Sequence, residues 1–320
     1  MKSFRLSVLA GLAAAPAMAC DLCSVYSAMQ ARGEVEKGVT AGVAEQFTRF
    51  GTLQEEGQRV PNDARQYLNS SVSQLFVGYN FTDRFGVQLN VPVIHRWYRR
   101  PDDSGAIEQG SESGVGDVSL VANLLAWRKA TRRFTFAWTV HAGVKLPTGS
   151  SDRLQEEVDE LTAPAPPPGA PESGIHGHDL ALGSGSVDAI TGTGLFARRQ
   201  RFFVTANAQY SIRTEGDLDY RYANDLTWWG GPGVYLALKE SYTVTLQFNV
   251  SGETKGRDTF RGVKAEDTGI TSVFVGPQVN LTWGDRLGAE LGADFPVVVD
   301  NSALQIVPDY RVKAAVNWRF

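Results

Sequence analysis

From Tyr242 to Ser251 apolar and polar residues alternate without a break: Tyr242, Val244, Leu246, Phe248 and Val250 against Thr243, Thr245, Gln247, Asn249 and Ser251. A period of two sorts the two sets onto opposite faces of a β-strand, whereas a helix would scatter both around a cylinder. The pattern recurs at Val273, Val275, Pro277, Val279, Leu281 and Trp283, interleaved with Ser272, Gln278, Asn280 and Thr282. It recurs again at Phe134, Phe136, Trp138, Val140, Ala142, Val144 and Leu146 against Thr135, Thr139, His141 and Lys145. Segments of this kind fall near 38–50, 68–81, 85–98, 114–128, 133–147, 184–198, 201–213, 223–238, 241–254, 268–283, 286–299 and 305–320. That predicts about twelve strands, an even number as bacterial outer-membrane barrels require, each long enough for a tilted crossing of ~9–11 residues.

The links between them alternate in length. Short ones fall at 82–84, 129–132, 199–200, 239–240 and 284–285, and long ones near 51–67, 99–113, 148–183, 214–222, 255–267 and 300–304. With both termini in the periplasm, every short link lands on the periplasmic side and every long one outside. The predicted fold is therefore all-β: a transmembrane antiparallel β-barrel of outer-membrane type spanning 38–320, with one long extracellular loop at 148–183. Glu45 falls on the outward face of the first strand, which calls for a bulge or a rim position there. The last strand alternates Tyr310, Val312, Ala314, Val316 and Trp318 up to a terminal Phe320, an ending of the kind read by the outer-membrane assembly machinery.

Composition alone points elsewhere, since a net charge of -4 and a slightly negative mean hydropathy suit a soluble chain. A barrel strand averages its lipid and lumen faces to the same value, so the alternation decides. Lys2 and Arg5 precede an apolar run from Leu6 to Ala15, and Ala17 and Ala19 complete the small-x-small pattern of a signal peptide. Residues 1–19 are read as that peptide, and 20–37 as a short periplasmic segment in which Ser24 to Glu36 could form one short helix. No later segment has the roughly 20 consecutive apolar residues of a spanning helix. The expected location is the outer membrane of a Gram-negative bacterium, in contact with lipid and lipopolysaccharide. No basic excess points to nucleic acid.

Candidate chemistry is sparse. Cys20 and Cys23 are the only cysteines and would open the mature chain. In the oxidising periplasm they could close a small disulfide loop, or act as thiolates in soft-metal ligation or redox exchange; Cys20 could instead be lipidated. His176, His178 and Asp179 stand close enough in the long loop to hold a transition metal, or simply belong to a solvated acidic loop rich in Glu156, Glu157, Asp159 and Glu160. Folded inward, that loop would gate the pore. Strand parity turns Asp117, His141, Lys145, Asp188, Glu290, Asp294, Arg311 and Lys313 toward the lumen. Opposed charges there either set up a transverse field that orients solutes or pair and fill the bore. A catalytic serine needs a histidine base, and neither His95 nor His141 sits in the pattern of the barrel phospholipases, so no enzyme is predicted. No motif demands a cofactor.

Three stretches, Gly114 to Leu120, Gly143 to Gly149 and Leu182 to Asp188, resemble in order and spacing the outer-membrane family named for the meta-pathway of phenol degradation. The resemblance spans roughly residues 84–320. The resemblance implies a barrel that transports small solutes, hydrophobic or aromatic compounds among them. A metal-handling or redox-linked barrel using Cys20 and Cys23 is the alternative. Gly114, Gly116, Gly183 and Gly185 flank strands entering from the outer side, where close backbone approach would shape the mouth.

Overall fold

The computed structural model describes residues 37–102, 104–162, 169–284 and 286–320. Cys20, Cys23, the signal peptide and the helix expected between Ser24 and Glu36 lie outside the described residues.

Among the described residues the chain forms a closed antiparallel barrel of 12 strands. In chain order these are β1 (Gly38–Glu55), β2 (Tyr67–Asn80), β3 (Phe85–Pro101), β4 (Ile107–Val115 and Ser119–Ala130), β5 (Phe134–Lys145) and β6 (Asp188–Arg199). They continue as β7 (Phe202–Ile212), β8 (Asp225–Leu238), β9 (Tyr242–Lys255), β10 (Ile270–Trp283), β11 (Leu287–Asn301) and β12 (Leu304–Arg319). Each strand pairs with its sequence neighbours, and β12 closes on β1 from Thr40↔Arg319 to Glu55↔Leu304. Closure leaves every backbone group in the wall a partner, which hydrocarbon demands.

The alternation sorts side chains as expected. On β9, Leu246 and Phe248 are 40% and 53% exposed, while Gln247 and Asn249 are 3% and 2% exposed. The same sorting puts Leu75, Leu89, Leu120, Leu195, Val279 and Val312 outside. Near the short links the outer surface turns aromatic, with Tyr79, Phe81, Phe85, Trp127, Trp283 and Trp318 all exposed. An apolar belt edged by aromatics cannot face water over such an area and fits a bilayer and its interface. The short links join β2 to β3, β4 to β5, β6 to β7, β8 to β9 and β10 to β11, which assigns that rim to the periplasm.

Three details depart from the sequence reading. The fourth strand, expected as one run from 114, is broken: an outer part, Ile107–Val115, pairs only with β3, and an inner part, Ser119–Ala130, pairs with β3 and β5. The outer part lay within an expected loop because neither of its faces is apolar; Glu108 and Glu112 point inward to arginines, and it stands above the membrane belt. The sixth strand opens at Asp188 rather than 184, so the long link runs from 146 to 187. Glu45 stays in register, opposite Ser73 and Ala314, on the outer face with no bulge at its position. Its carboxylate instead accepts hydrogen bonds from Ser71 Oγ at 2.6 Å and from Ser73 Oγ, which offsets part of the cost of its outward position.

Candidate functional site

The described residues of the long link, 146–162 and 169–187, do not project from the barrel but fold into its outer mouth as a plug. The link carries two helices, α1 (Leu154–Thr162) and α2 (Gly177–Leu180). Its neck is closed on itself, because Ser150 O accepts hydrogen bonds from Leu182 N at 3.0 Å and Gly183 N at 2.8 Å. Apolar seats hold its inner side: Ile175 and Leu180 pack with Phe50, Leu68, Tyr98 and Ile306, and Leu182 with Ala44, Val72, Ile94 and Ala315. Wall side chains satisfy the plug's backbone: Arg96 donates to Ala181 O at 2.7 Å, Arg100 to Ile175 O at 3.2 Å, and Gln66 both donates to Glu172 O and accepts from Gly174 N.

The three glycine-containing stretches converge at the foot of this plug. Lys145 Nζ lies 2.5 Å from Asp117 Oδ2 and 2.8 Å from Asp188 Oδ2, and also donates to Ser184 Oγ. Asp117 accepts further from Gly149 N at 3.0 Å and Ser184 N at 3.0 Å, so one carboxylate gathers all three stretches. A Cβ on Gly183 would sit 2.4 Å from Gly149 O and 2.7 Å from Asp117 Oδ1, so only glycine permits this approach. Asp188 also binds Arg213 at 2.9 Å, and Arg213 binds Asp225 at 2.6 Å. Lower in the bore Lys313 pairs with Asp294 at 2.5 Å, Arg311 with Glu253 at 3.5 Å, and Asn249 donates to Asp294.

Of the residues assigned to the lumen from sequence, Asp117, His141, Lys145, Asp188, Asp294 and Arg311 are buried inside the barrel, and His141 hydrogen-bonds Gln209. Lys313 joins them through Asp294, and Glu290 stands apart on the wall of the periplasmic cavity. Ser184, Arg213, Asp225, Lys255 and Asp258 complete the ionic network and were missed. They sit in loops or at strand ends, where alternation gives no face; the sequence signal that survives is an arginine directly after Ile212 and an aspartate opening β8.

His176 and His178 stack face to face with ring centroids 5.8 Å apart, but they address different carboxylates. His178 Nδ1 meets Glu157 Oε1 at 2.8 Å and its Nε2 lies 3.4 Å from Asp179; His176 Nδ1 meets Glu160 at 3.2 Å and Asp267 at 3.3 Å. Burial alone would lower the pKa of both imidazoles. The carboxylates reverse this, raising His176 to about 9 and His178 to about 10. Burial works to raise Glu157, yet the charge and hydrogen bond of His178 hold it down to about 2. The pair is thus ionic at neutral pH.

The lumen has two main spaces. Beneath the plug is a small pocket with Phe50, Leu68, Ile270 and Ile306 contributing an apolar wall and Arg96, Lys145, Arg213 and Lys255 with Asp117 and Asp179 a charged one. At the periplasmic end a wider cavity opens to solvent, lined by Thr135, Thr243, Thr245, Asn280 and Thr282 with Phe196, Phe203 and Tyr235, and by Arg128, Arg198, Glu290 and Arg319. Between them Gln46, Gln74, Asn90, Gln209, Gln247 and Gln278 project inward, all of them buried.

Closed barrel, apolar belt and aromatic rim together define an outer-membrane β-barrel. The family described as "Putative MetA-pathway of phenol degradation" matches residues 52–157, which bears out the resemblance read from the first two glycine-containing stretches. An outer membrane channel from Pseudomonas putida F1 superposes with a TM-score of 0.59 at 15% identity, covering 89% of this chain and 96% of that one. The β domain of the Bordetella autotransporter BrkA gives 0.44 at 10% identity over 88% and 100% of the two chains, and the translocator domain of NalP from Neisseria meningitidis 0.42 at 10% over 93% and 92%. At such identities the likeness to the first is one of fold. No curated protein matches the sequence.

Proposed function

We propose that this barrel is a gated outer-membrane channel for small organic solutes, closed at its outer mouth by residues 146–187. The observation that carries the reading is the plug itself: a loop with a self-closed neck, seated on apolar patches and ion-paired to the wall through Arg100–Glu156 and Arg153–Glu112, above a pocket that a layer of buried amides separates from the periplasmic space. A structural loop with no gating role would gain nothing by filling a bore that the strand number already closes from lipid.

The pocket beneath the plug favours a solute with an apolar body and a polar head. Phe50, Leu68, Ile270 and Ile306 take the body, and the opposite wall offers Arg96, Lys145, Arg213 and Lys255 together with Asp117 and Asp179 to the head. Small phenols and aromatic acids have this form, in keeping with the family that the chain resembles. The catalytic reading finds less support, since His95 sits on the outer face beside Ser113 with no carboxylate among its hydrogen-bond partners. Export by a signal peptide ending at Ala19 and assembly through the terminal Phe320, which lies exposed at the periplasmic rim, belong to the same reading.

Proteoliposome uptake tests it. The refolded mature protein should admit radiolabelled benzoate or phenol faster than a neutral sugar of similar mass. Equal rates for all three, or rates no faster than protein-free liposomes, would contradict the proposal.

A further inference from the structure

Above the ionic foot of the plug lies a second group of side chains that the lumen network does not use. Glu160 comes from the last part of α1, His176 from just before α2, and Asp267 from the link between β9 and β10. Their ligand atoms nevertheless all lie within 4.8 Å of one another. His176 Nδ1 stands 3.2 Å from Glu160 Oε2 and 3.3 Å from Asp267 Oδ2. One ring nitrogen carries at most one proton, directed at one acceptor, yet two carboxylates from separate segments crowd this one nitrogen. A cation shared by the three atoms satisfies both carboxylates at once. Tetrahedral bonds of about 2.0–2.2 Å place ligand atoms roughly 3.3–3.6 Å apart. The two histidine–carboxylate separations, 3.2 and 3.3 Å, are close to that size, and the third separation is within 4.8 Å.

We infer that Glu160, His176 and Asp267 form a divalent transition-metal site that pins the plug to the outer rim of the barrel. One imidazole nitrogen with two carboxylate oxygens suits zinc or a neighbouring borderline ion. Calcium and magnesium prefer all-oxygen shells, and soft copper(I) prefers sulfur. All three side chains are partly exposed, which leaves room for a water molecule as fourth ligand. Two of the ligands travel with the plug and the third stays on the wall-side link, so an ion held by all three opposes withdrawal of the plug. The site differs from the sequence expectation of His176, His178 and Asp179, because His178 is turned to Glu157 and Asp179 instead.

The test uses the refolded mature barrel in detergent, with zinc as the probe and calcium and magnesium for comparison. Equilibrium dialysis should find one zinc per chain, and calorimetry should show binding at least tenfold weaker in Asp267→Asn and in His176→Ala, with Glu240→Gln at a periplasmic turn unchanged. Asp267 lies in a surface link, so its variant is expected to keep the heat-modifiable migration of a folded barrel even if His176→Ala does not. Pinning is read separately: in a Cys20→Ser, Cys23→Ser background, a cysteine introduced by Ile175→Cys on the buried inner side of the plug should react with a bulky maleimide about tenfold more slowly when zinc is present. Adding Asp267→Asn should remove that protection. Absence of stoichiometric zinc, affinity unchanged by Asp267→Asn, or labelling indifferent to zinc would each overturn the inference. None of these readouts requires solute flux, so failure here is distinct from failure of the channel reading.

Discussion

The outer half of the lumen and the periplasmic half are built from the same twelve strands, yet they are filled in opposite ways. In the outer half, backbone folds into the bore, and Asp117, Lys145, Asp188, Arg213 and Asp225 form a continuous ionic chain with almost no exposure to solvent. In the periplasmic half threonine, asparagine and aromatic side chains, with Arg128, Arg198, Glu290 and Arg319, surround an open cavity, with no backbone folded into it among the described residues. Side chains alone fill a barrel of about eight strands, and twelve strands enclose a wider bore. Concentrating charge and a folded loop at one end, and leaving the other wide, localises the barrier to passage at the outer mouth. It also localises sensitivity to mutation there.

The sharpest break in that comparison is Asp188→Asn. Breaking a buried ion pair from one side costs about 3–5 kcal/mol, and the lower end applies here because Lys145 keeps Asp117 and Arg213 keeps Asp225. The expected result is a barrel that remains folded in heat-modifiability gels but whose plug is released more readily, seen as faster proteolysis after Arg153. Leu182→Ala removes an apolar seat of the plug and should cost about 2–4 kcal/mol by the same assay.

Acid should loosen the plug through Glu157. Its folded pKa, about 2, lies below the ordinary 4.5, so its contribution is complete above about pH 4.5 and is lost as pH falls toward 2. Because Glu157 and His178 both belong to the plug, the packing of α1 on α2 should hold from pH 7 to 5 and weaken below that, by an amount on the order of 2–3 kcal/mol. Glu157→Gln should flatten this acid limb; an unchanged limb would show that other groups set it. The smallest effect belongs to the open half: Thr243→Ala removes one hydrogen bond, to Thr282 at 2.7 Å, and should cost about 0.5–1 kcal/mol without altering plug release.

The same contrast explains how much could be read from sequence. Strands that cross the membrane belt have one apolar and one polar face, so β9, β10 and β5 were legible directly from alternation. Above the belt that rule lapses. Residues 107–113 are mainly polar on both sides and read as part of a link, although they belong to the strand Ile107–Val115. Lumen residues within the belt, such as Lys145 and Asp294, followed from parity, whereas Arg213 and Asp258, sited just past strand ends, did not. The trio of Glu160, His176 and Asp267 was out of reach because Asp267 joins it only through the closed order of strands.

Plug removal tests the central claim most directly. Ser150 and Leu182 already touch through a backbone hydrogen bond, so residues 151–181 can be replaced by two glycines without moving the wall. Single-channel conductance of this variant and of the intact protein would then be compared in planar bilayers. The account predicts brief, rare openings for the intact protein and steady openings of about tenfold greater mean conductance for the variant. Identical conductance in the two, with both barrels folded, would show that the barrier lies elsewhere in the bore and that the plug is not the gate.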